Sequence, residues 1–296
     1  MKSLRPYLMP IAMVVGGVFH YFFGKFTYLT PYMIFVMLML TYCNMEMKQV
    51  KFSIAHCILL GVQLVGSIFI YLFLSPLNES LAQGLLICAL VPTGTAAAVV
   101  TGMLGGNVAS LTAYSLLCNL AIAFAAPIVF SYIGVNTVMP FWKSVWMIAE
   151  HVGFLLLVPF VLSWLLSEYL PKIASFIGSY SSLAFYIWIA GILIISGRIV
   201  DFVLSQQIQN LWLEITIAIA TFVLCVLQFV VGRRIGRSFN DTVASGQGLA
   251  QKNTILAIWM AQLYLNPIAS IAPGAYVISQ NIVNSFQIWR SRQSAR

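Results

Sequence analysis

The sequence predicts an all-α polytopic membrane protein with ten transmembrane helices in two inverted five-helix repeats, and three observations carry that reading. First, 61% of the 296 residues are hydrophobic and 7% are charged, against about 25% charged in an ordinary soluble domain. Second, the apolar residues fall in long stretches nearly free of charge, and a helix that crosses a bilayer needs about 20 such residues. Third, two of these stretches are interrupted at corresponding places in the two halves of the chain, a pattern that points to a secondary transporter with its site near the midplane.

Apolar runs between polar punctuation place the spans near 7–23, 30–44, 53–75, 80–103, 107–133, 141–167, 182–199, 211–232, 241–264 and 267–289. The first follows Lys2 and Arg5 and reads LMPIAMVVGGVF. It imitates a signal peptide, but no small-residue cleavage pattern follows, so an uncleaved first helix is expected. In the fourth span, CALVPTGTAAAVVTG puts Pro92, Thr93 and Gly94 about halfway across. There proline removes a backbone donor and glycine frees the dihedrals. In the ninth, SGQGLAQKN sets Gly246 and Gly248 around Gln247, and the second break is expected at those glycines. Non-helical backbone at membrane depth persists only under cover of protein or a water-filled cavity. Gly94 and Gly248 are 154 residues apart, so each falls in the fourth span of a half, the halves running about 1–135 and 141–290 of a single transmembrane unit 1–296. Five spans per half is odd, so the second half enters the membrane inverted.

Orientation follows from the basic residues, because Lys and Arg in short loops resist translocation. The side of the termini carries 11 of them: Lys2, Arg5, Lys48, Lys51, Lys172, Arg233, Arg234, Arg237, Arg290, Arg292 and Arg296. The opposite side carries 3, Lys25, Lys143 and Arg198, and Lys252 lies inside the ninth span. Both termini are expected on the cytoplasmic face of the cell (inner) membrane. The net charge of +8 is scattered and offers no phosphate track, so nucleic acid is not an expected partner. Cys43, Cys57, Cys88, Cys118 and Cys225 have neither metal-ligand spacing nor the even count of a disulfide framework, and read as small core hydrophobes.

Polar residues at membrane depth are the candidate site. Around the breaks stand Thr93, Thr95, Gln247, Gln251, Lys252, Asn253 and Thr254; elsewhere at depth are Gln63, Asn119, Glu150, His151, Gln280, Asn281 and Asn284. The half-helices turn free N–H and C=O groups toward the centre, which binds ions without charged side chains. Asn119 reads first as a helix-to-helix hydrogen-bonding residue. Glu150 and Lys252 are ionisable groups in the hydrocarbon region, which are costly and functional by default; Glu150 alternatively sits near an interface beside Trp142 and Lys143, and Lys252 alternatively snorkels. His20 and His56 lie near span ends and are assigned nothing. No local Ser or Cys with a base points to a hydrolase, no HExxH or paired Cys/His pattern points to a metal, and no cofactor is implied. An enzyme is not expected.

Taken in order, these residues resemble the bile acid:sodium symporter family across essentially the full chain. The most specific match is Ala272, Pro273, Gly274 and Ala275 followed by Gln280 and Asn281 in the tenth span; Pro92, Gly94 and Thr95, Gln63 and Gln251 are also similar. The resemblance implies ten spans with crossed broken helices 4 and 9. It also implies panel helices 1, 2, 6 and 7, and core helices 3–5 and 8–10 that move against the panel. Two sodium ions at the breaks and an organic anion beside them are implied in turn. On that reading Thr95, Gln280 and Asn281 are the substrate-side residues, and Gln63, Ser115, Gln247, Gln251 and Lys252 stand at the ion sites.

The departures matter as much. Ala97 and Ala98 replace the family's Ser and Asn sodium ligands, Leu111 and Ser115 occupy the fifth-helix ligand positions, Gln247 replaces an acid, and Lys252 replaces the Asn after Gln251. Methyl groups cannot coordinate sodium. A lysine ammonium beside a neutral Gln247 supplies the same single positive charge as two sodium ions with one carboxylate. The expectation is an organic-anion carrier working by alternating access in the lipid bilayer, with Lys252 in place of the cations. The alternatives are a sodium- or proton-coupled transporter or antiporter of the same fold, a proton antiporter or channel of a related crossed-helix fold using Glu150 or Lys252, and a non-transporting membrane sensor.

Overall fold

The computed structural model describes residues 5–44, 51–94, 96–134, 140–205 and 211–294. Apart from one isolated bridge, the regular structure among them is helical. Among the described residues, six helical stretches are long and apolar enough to cross a membrane: His20–Cys43, Ile54–Leu74, Val108–Ile133, Phe141–Tyr169, Leu183–Asp201 and Leu211–Arg237. The side-chain distribution agrees, since α4 (Ile54–Leu74) leaves Val65 69% and Phe69 67% exposed while holding Gln63 at 1%. Apolar residues outside and amides inside suit a chain whose surrounding solvent is hydrocarbon. The chain is an all-α membrane protein.

Two compact units divide it: Met1–Met45 with Phe154–Trp212, and Glu46–Gly153 with Leu213–Arg296. The first contains α1 (Arg5–Val18), α2 (His20–Phe23), a 3-10 turn (Gly24–Leu29), α3 (Thr30–Cys43), α9 (Pro171–Ser179) and α10 (Leu183–Ser205). It also takes the later part of α8 (Phe141–Tyr169). Close approach of α1 and α10 requires the bare backbone of Gly16, where a Cβ would stand 2.3 Å from the carbonyl oxygen of Leu193. Phe35 stacks on Phe154 at 6.0 Å and Tyr42 meets Phe160 edge-on at 5.8 Å, geometries that aromatic quadrupoles favour. His20 Nδ1 lies 3.1 Å from Asp201 Oδ1.

The second unit holds α4, α5 (Glu79–Leu90), α6 (Ala96–Met103), α7 (Val108–Ile133), most of α11 (Leu211–Arg237), α12 (Thr242–Ala250), α13 (Thr254–Tyr264) and α14 (Ile271–Ser294). Asparagine starts three of these helices. Asn78, Asn107 and Asn253 accept from the backbone N–H of Leu81, Ser110 and Leu256, satisfying donors that the first helical turn leaves open. At the head of α4, Ser53 and His56 form a reciprocal capping box. Gly105 reverses the chain between α6 and α7 with φ +70, a conformation glycine adopts without a Cβ clash. α5 is buried from Ala82 through Leu90, so it carries no solvent or lipid face for its sequence to mark.

Candidate functional site

α5 ends at Leu90, two residues before Pro92, and α12 ends at Ala250. The two short breaks that follow lie antiparallel and pair with each other. Thr93 and Lys252 form a β-bridge, in which Gly94 N donates to Gln251 O and Asn253 N donates to Pro92 O, both at 2.9 Å. Glycine is required at 94 because a Cβ there would stand 2.8 Å from Lys252 O. The bridged residues then reach past each other. Thr93 Oγ1 donates to Gly248 O at 2.7 Å, and Lys252 Nζ donates to Ala89 O at 2.8 Å and Val91 O at 3.1 Å. Each side chain therefore occupies carbonyls at the C-terminal end of the opposite half-helix, where the macrodipole is negative and acceptors lack helical partners. Lys252 is 2% exposed; it does not snorkel.

A second layer repeats this reciprocity. Gln63 Nε2 on α4 donates to Leu90 O at 2.6 Å and Val91 O at 2.9 Å, and Gln63 Oε1 accepts from Tyr114 Oη at 2.7 Å. On the other side Tyr276 Oη reaches Ala250 O at 2.7 Å and also bonds Gln228 Oε1. One Gln–Tyr pair thus closes the carbonyl end of each inner half-helix. Cys118 Sγ lies 3.1 Å from Gln63 Nε2.

The second break is not at the glycines where it was expected. Gly246, Gln247 and Gly248 lie inside α12, and the helix stops at Gln251, Lys252 and Asn253. These glycines serve packing instead. A Cβ at Gly248 would meet Tyr114 Cδ1 at 2.7 Å, and one at Gly246 would meet Arg233 Cγ at 2.6 Å. Glycine is tolerated within a helix when a neighbour comes this close. Gly94 accordingly meets Gln251 across the bridge.

The other expected site residues separate into groups. Gln247 Nε2 donates to Asn284 Oδ1 at 3.0 Å and to Gln287 Oε1 at 3.2 Å, and Asn284 Nδ2 donates to Gln251 Oε1 at 2.6 Å. Gln280 Oε1 accepts from Lys252 N at 3.0 Å. Asn281 stands apart, half-buried, with its amide turned to Val277 O of its own helix. Ser115 is half-buried beside Asn119, whose amide donates to Ser115 O at 2.7 Å. Thr95 lies outside the described residues. Ala97, Leu111 and Ala244 form one buried apolar cluster, with Ala98 packed against it. Glu150 and His151 are exposed on α8 and touch none of this. Tyr276 and Gln287 were absent from the sequence-based site, and Asn284 was marked there only as polar at membrane depth. Tyr276, Gln280, Asn284 and Gln287 follow an i, i+4, i+8, i+11 spacing along α14, one face of a helix, and that periodicity is the signal that marks the two missed residues.

A further constellation joins three helix ends. His56 Nε2 lies 2.8 Å from Ser110 Oγ, which in turn donates to Asp241 Oδ2. Ser53 N donates to His56 Nδ1 at 3.2 Å, so the ring proton sits on Nε2 and the imidazole donates toward the serine. This is the reverse of a general base activating a nucleophile. Among the described residues, no group of three or more His, Cys, Asp or Glu is placed to hold a metal ion. In comparison with known proteins, the chain matches no family model and no curated protein.

Proposed function

We propose that the chain is a secondary transporter of the bile acid:sodium symporter fold, carrying an organic anion by alternating access without sodium coupling. The observation that carries this reading is the amine of Lys252, tethered to the carbonyl end of a broken helix where the family resemblance puts dissolved cations. The apolar cluster of Ala97, Leu111 and Ala244 supports it, since it puts methyl groups where oxygen ligands are expected. The reciprocal bonds of Thr93 with Gly248 and of Lys252 with Ala89 support two inverted five-helix halves within ten spans. Division of the chain into two units supports a panel of helices 1, 2, 6 and 7 and a core of helices 3–5 and 8–10.

On this reading both termini are cytoplasmic and the protein resides in the inner membrane, following the bias of its basic residues. The substrate is an organic anion, drawn by the positive charge of Lys252 at the crossing. The protein performs no chemistry on it and requires no cofactor. Proton coupling through Lys252 is the second reading, favoured by its being the ionisable residue at the crossing; Glu150, exposed on α8, is poorly placed to share that role.

The test begins with a thermal-shift screen of carboxylates and sulfonates, because a binder stabilises the native state by mass action. Uptake of the strongest binder into proteoliposomes is then measured in sodium, potassium and choline media, each with and without a pH gradient. Sodium-independent uptake that is lost in Lys252→Ala supports the proposal. A saturable, strict sodium requirement overturns it, and binding without counterflow identifies a sensor.

A further inference from the structure

Arg233, near the end of α11, donates from Nη2 to Gln287 Oε1 at 2.9 Å. A guanidinium has five donors and no acceptor, so this contact allows only one orientation of the Gln287 amide. The same Gln287 oxygen accepts from Gln247 Nε2, which obliges Gln247 to present its NH2 group. That NH2 also donates to Asn284 Oδ1, so Asn284 must turn its own NH2 to Gln251 Oε1. An isolated row of carboxamides runs equally well in either direction, since oxygen and nitrogen ends exchange by a flip. With arginine at its head it runs in one.

We infer that Arg233 is a positioning residue for the crossing, fixing the hydrogen-bond direction of Gln287, Gln247, Asn284 and Gln251 from outside the breaks. The row ends at Gln251, whose backbone is part of the bridge to Gly94, so one guanidinium orients amides as far as the crossing itself. Among the described residues, the direction also leaves Gln247 Oε1 as a buried acceptor without a partner; reversal would put a donor there. Sequence could not indicate this role, because Arg233 reads as one of several basic residues at a span end.

The consequence for uptake rests on the transport reading, whereas the consequence for stability rests on hydrogen bonding alone. The experiment measures Tm of the full-length protein in detergent for Arg233→Gln, Asn284→Leu and the double variant, with Arg233→Lys in parallel. Glutamine at 233 offers either end of its amide and releases the direction; lysine only donates and keeps it. The expected result is that the double variant lies several degrees above the sum of the two single losses, because Asn284 does not touch Arg233 and couples to it only through the row. Arg233→Lys should combine additively with Asn284→Leu and should restore any rise in KM for uptake of taurocholate, used as the probe anion, seen in Arg233→Gln. Additive losses for Arg233→Gln, or lysine and glutamine behaving alike, overturn the inference. Non-additive losses in a protein that moves no anion sustain the positioning and overturn transport.

Discussion

Replacing Lys252 by alanine removes two hydrogen bonds at the carbonyl end of α5, and their fates differ. Val91 O keeps Gln63 Nε2 at 2.9 Å, but Ala89 O loses the ammonium that sits 2.8 Å away. A buried acceptor left without a partner costs about 1–3 kcal/mol. Removing an ammonium also relieves its own desolvation, a penalty of several kcal/mol per buried ion. Stability alone therefore does not separate a tether from a passive lysine; chemical rescue does. Lys252→Ala leaves a space bordered by Ala89 O and Val91 O that a small alkylammonium ion can fill, whereas Lys252→Met fills the same space with an apolar stem. Tm of both variants is measured across a methylammonium titration, with choline as the control cation. The expected outcome is a saturable rise of several degrees in Lys252→Ala with methylammonium, and no such rise in Lys252→Met or the wild type. An equal response in all three proteins, or none in Lys252→Ala, would refute the assignment of Lys252 as a built-in cation.

Three other outcomes follow from the same geometry. Gly248→Ala should lose about 1–3 kcal/mol by overpacking, because its Cβ meets Tyr114 at 2.7 Å; thermal melts of this variant, alone and with Tyr114→Phe, will show whether displacement of the tyrosine is the cause. Ser110→Ala should separate His56 from Asp241 and destabilise the protein by about 1–3 kcal/mol through stranded polar groups, with uptake kinetics at a fixed fraction folded unchanged; a lost turnover would give the constellation a functional part. Asn284→Leu should impair uptake more than Asn281→Leu, since Asn284 bridges Gln247 and Gln251 while Asn281 bonds its own helix. Equal effects in initial-rate assays would favour Asn281 as a substrate-side residue.

That this chain spans a membrane as helices is legible in its amino-acid sequence, as are the six long apolar stretches, because both depend on local quantities. The sum of apolar residues over a window decides partition into hydrocarbon, and proline and glycine decide where backbone bonding is open to interruption. The first break, at Pro92 to Gly94, was legible for that reason. The second was not, since Gly246 and Gly248 accommodate Tyr114 and Arg233 within an intact helix. The chain there leaves the helix at Gln251, Lys252 and Asn253 to pair with Pro92, Thr93 and Gly94, a contact between segments far apart in sequence. Gln63, Gln247, Gln251, Lys252 and Gln280 were visible as polar groups too costly to bury without partners. Which carbonyl or amide each one meets, the role of Asn284 and Gln287, and the withdrawal of Asn281 onto its own helix were settled by tertiary packing. Hydrogen bonds are short-ranged and directional, so their pairing is fixed only once the helices that carry them stand side by side.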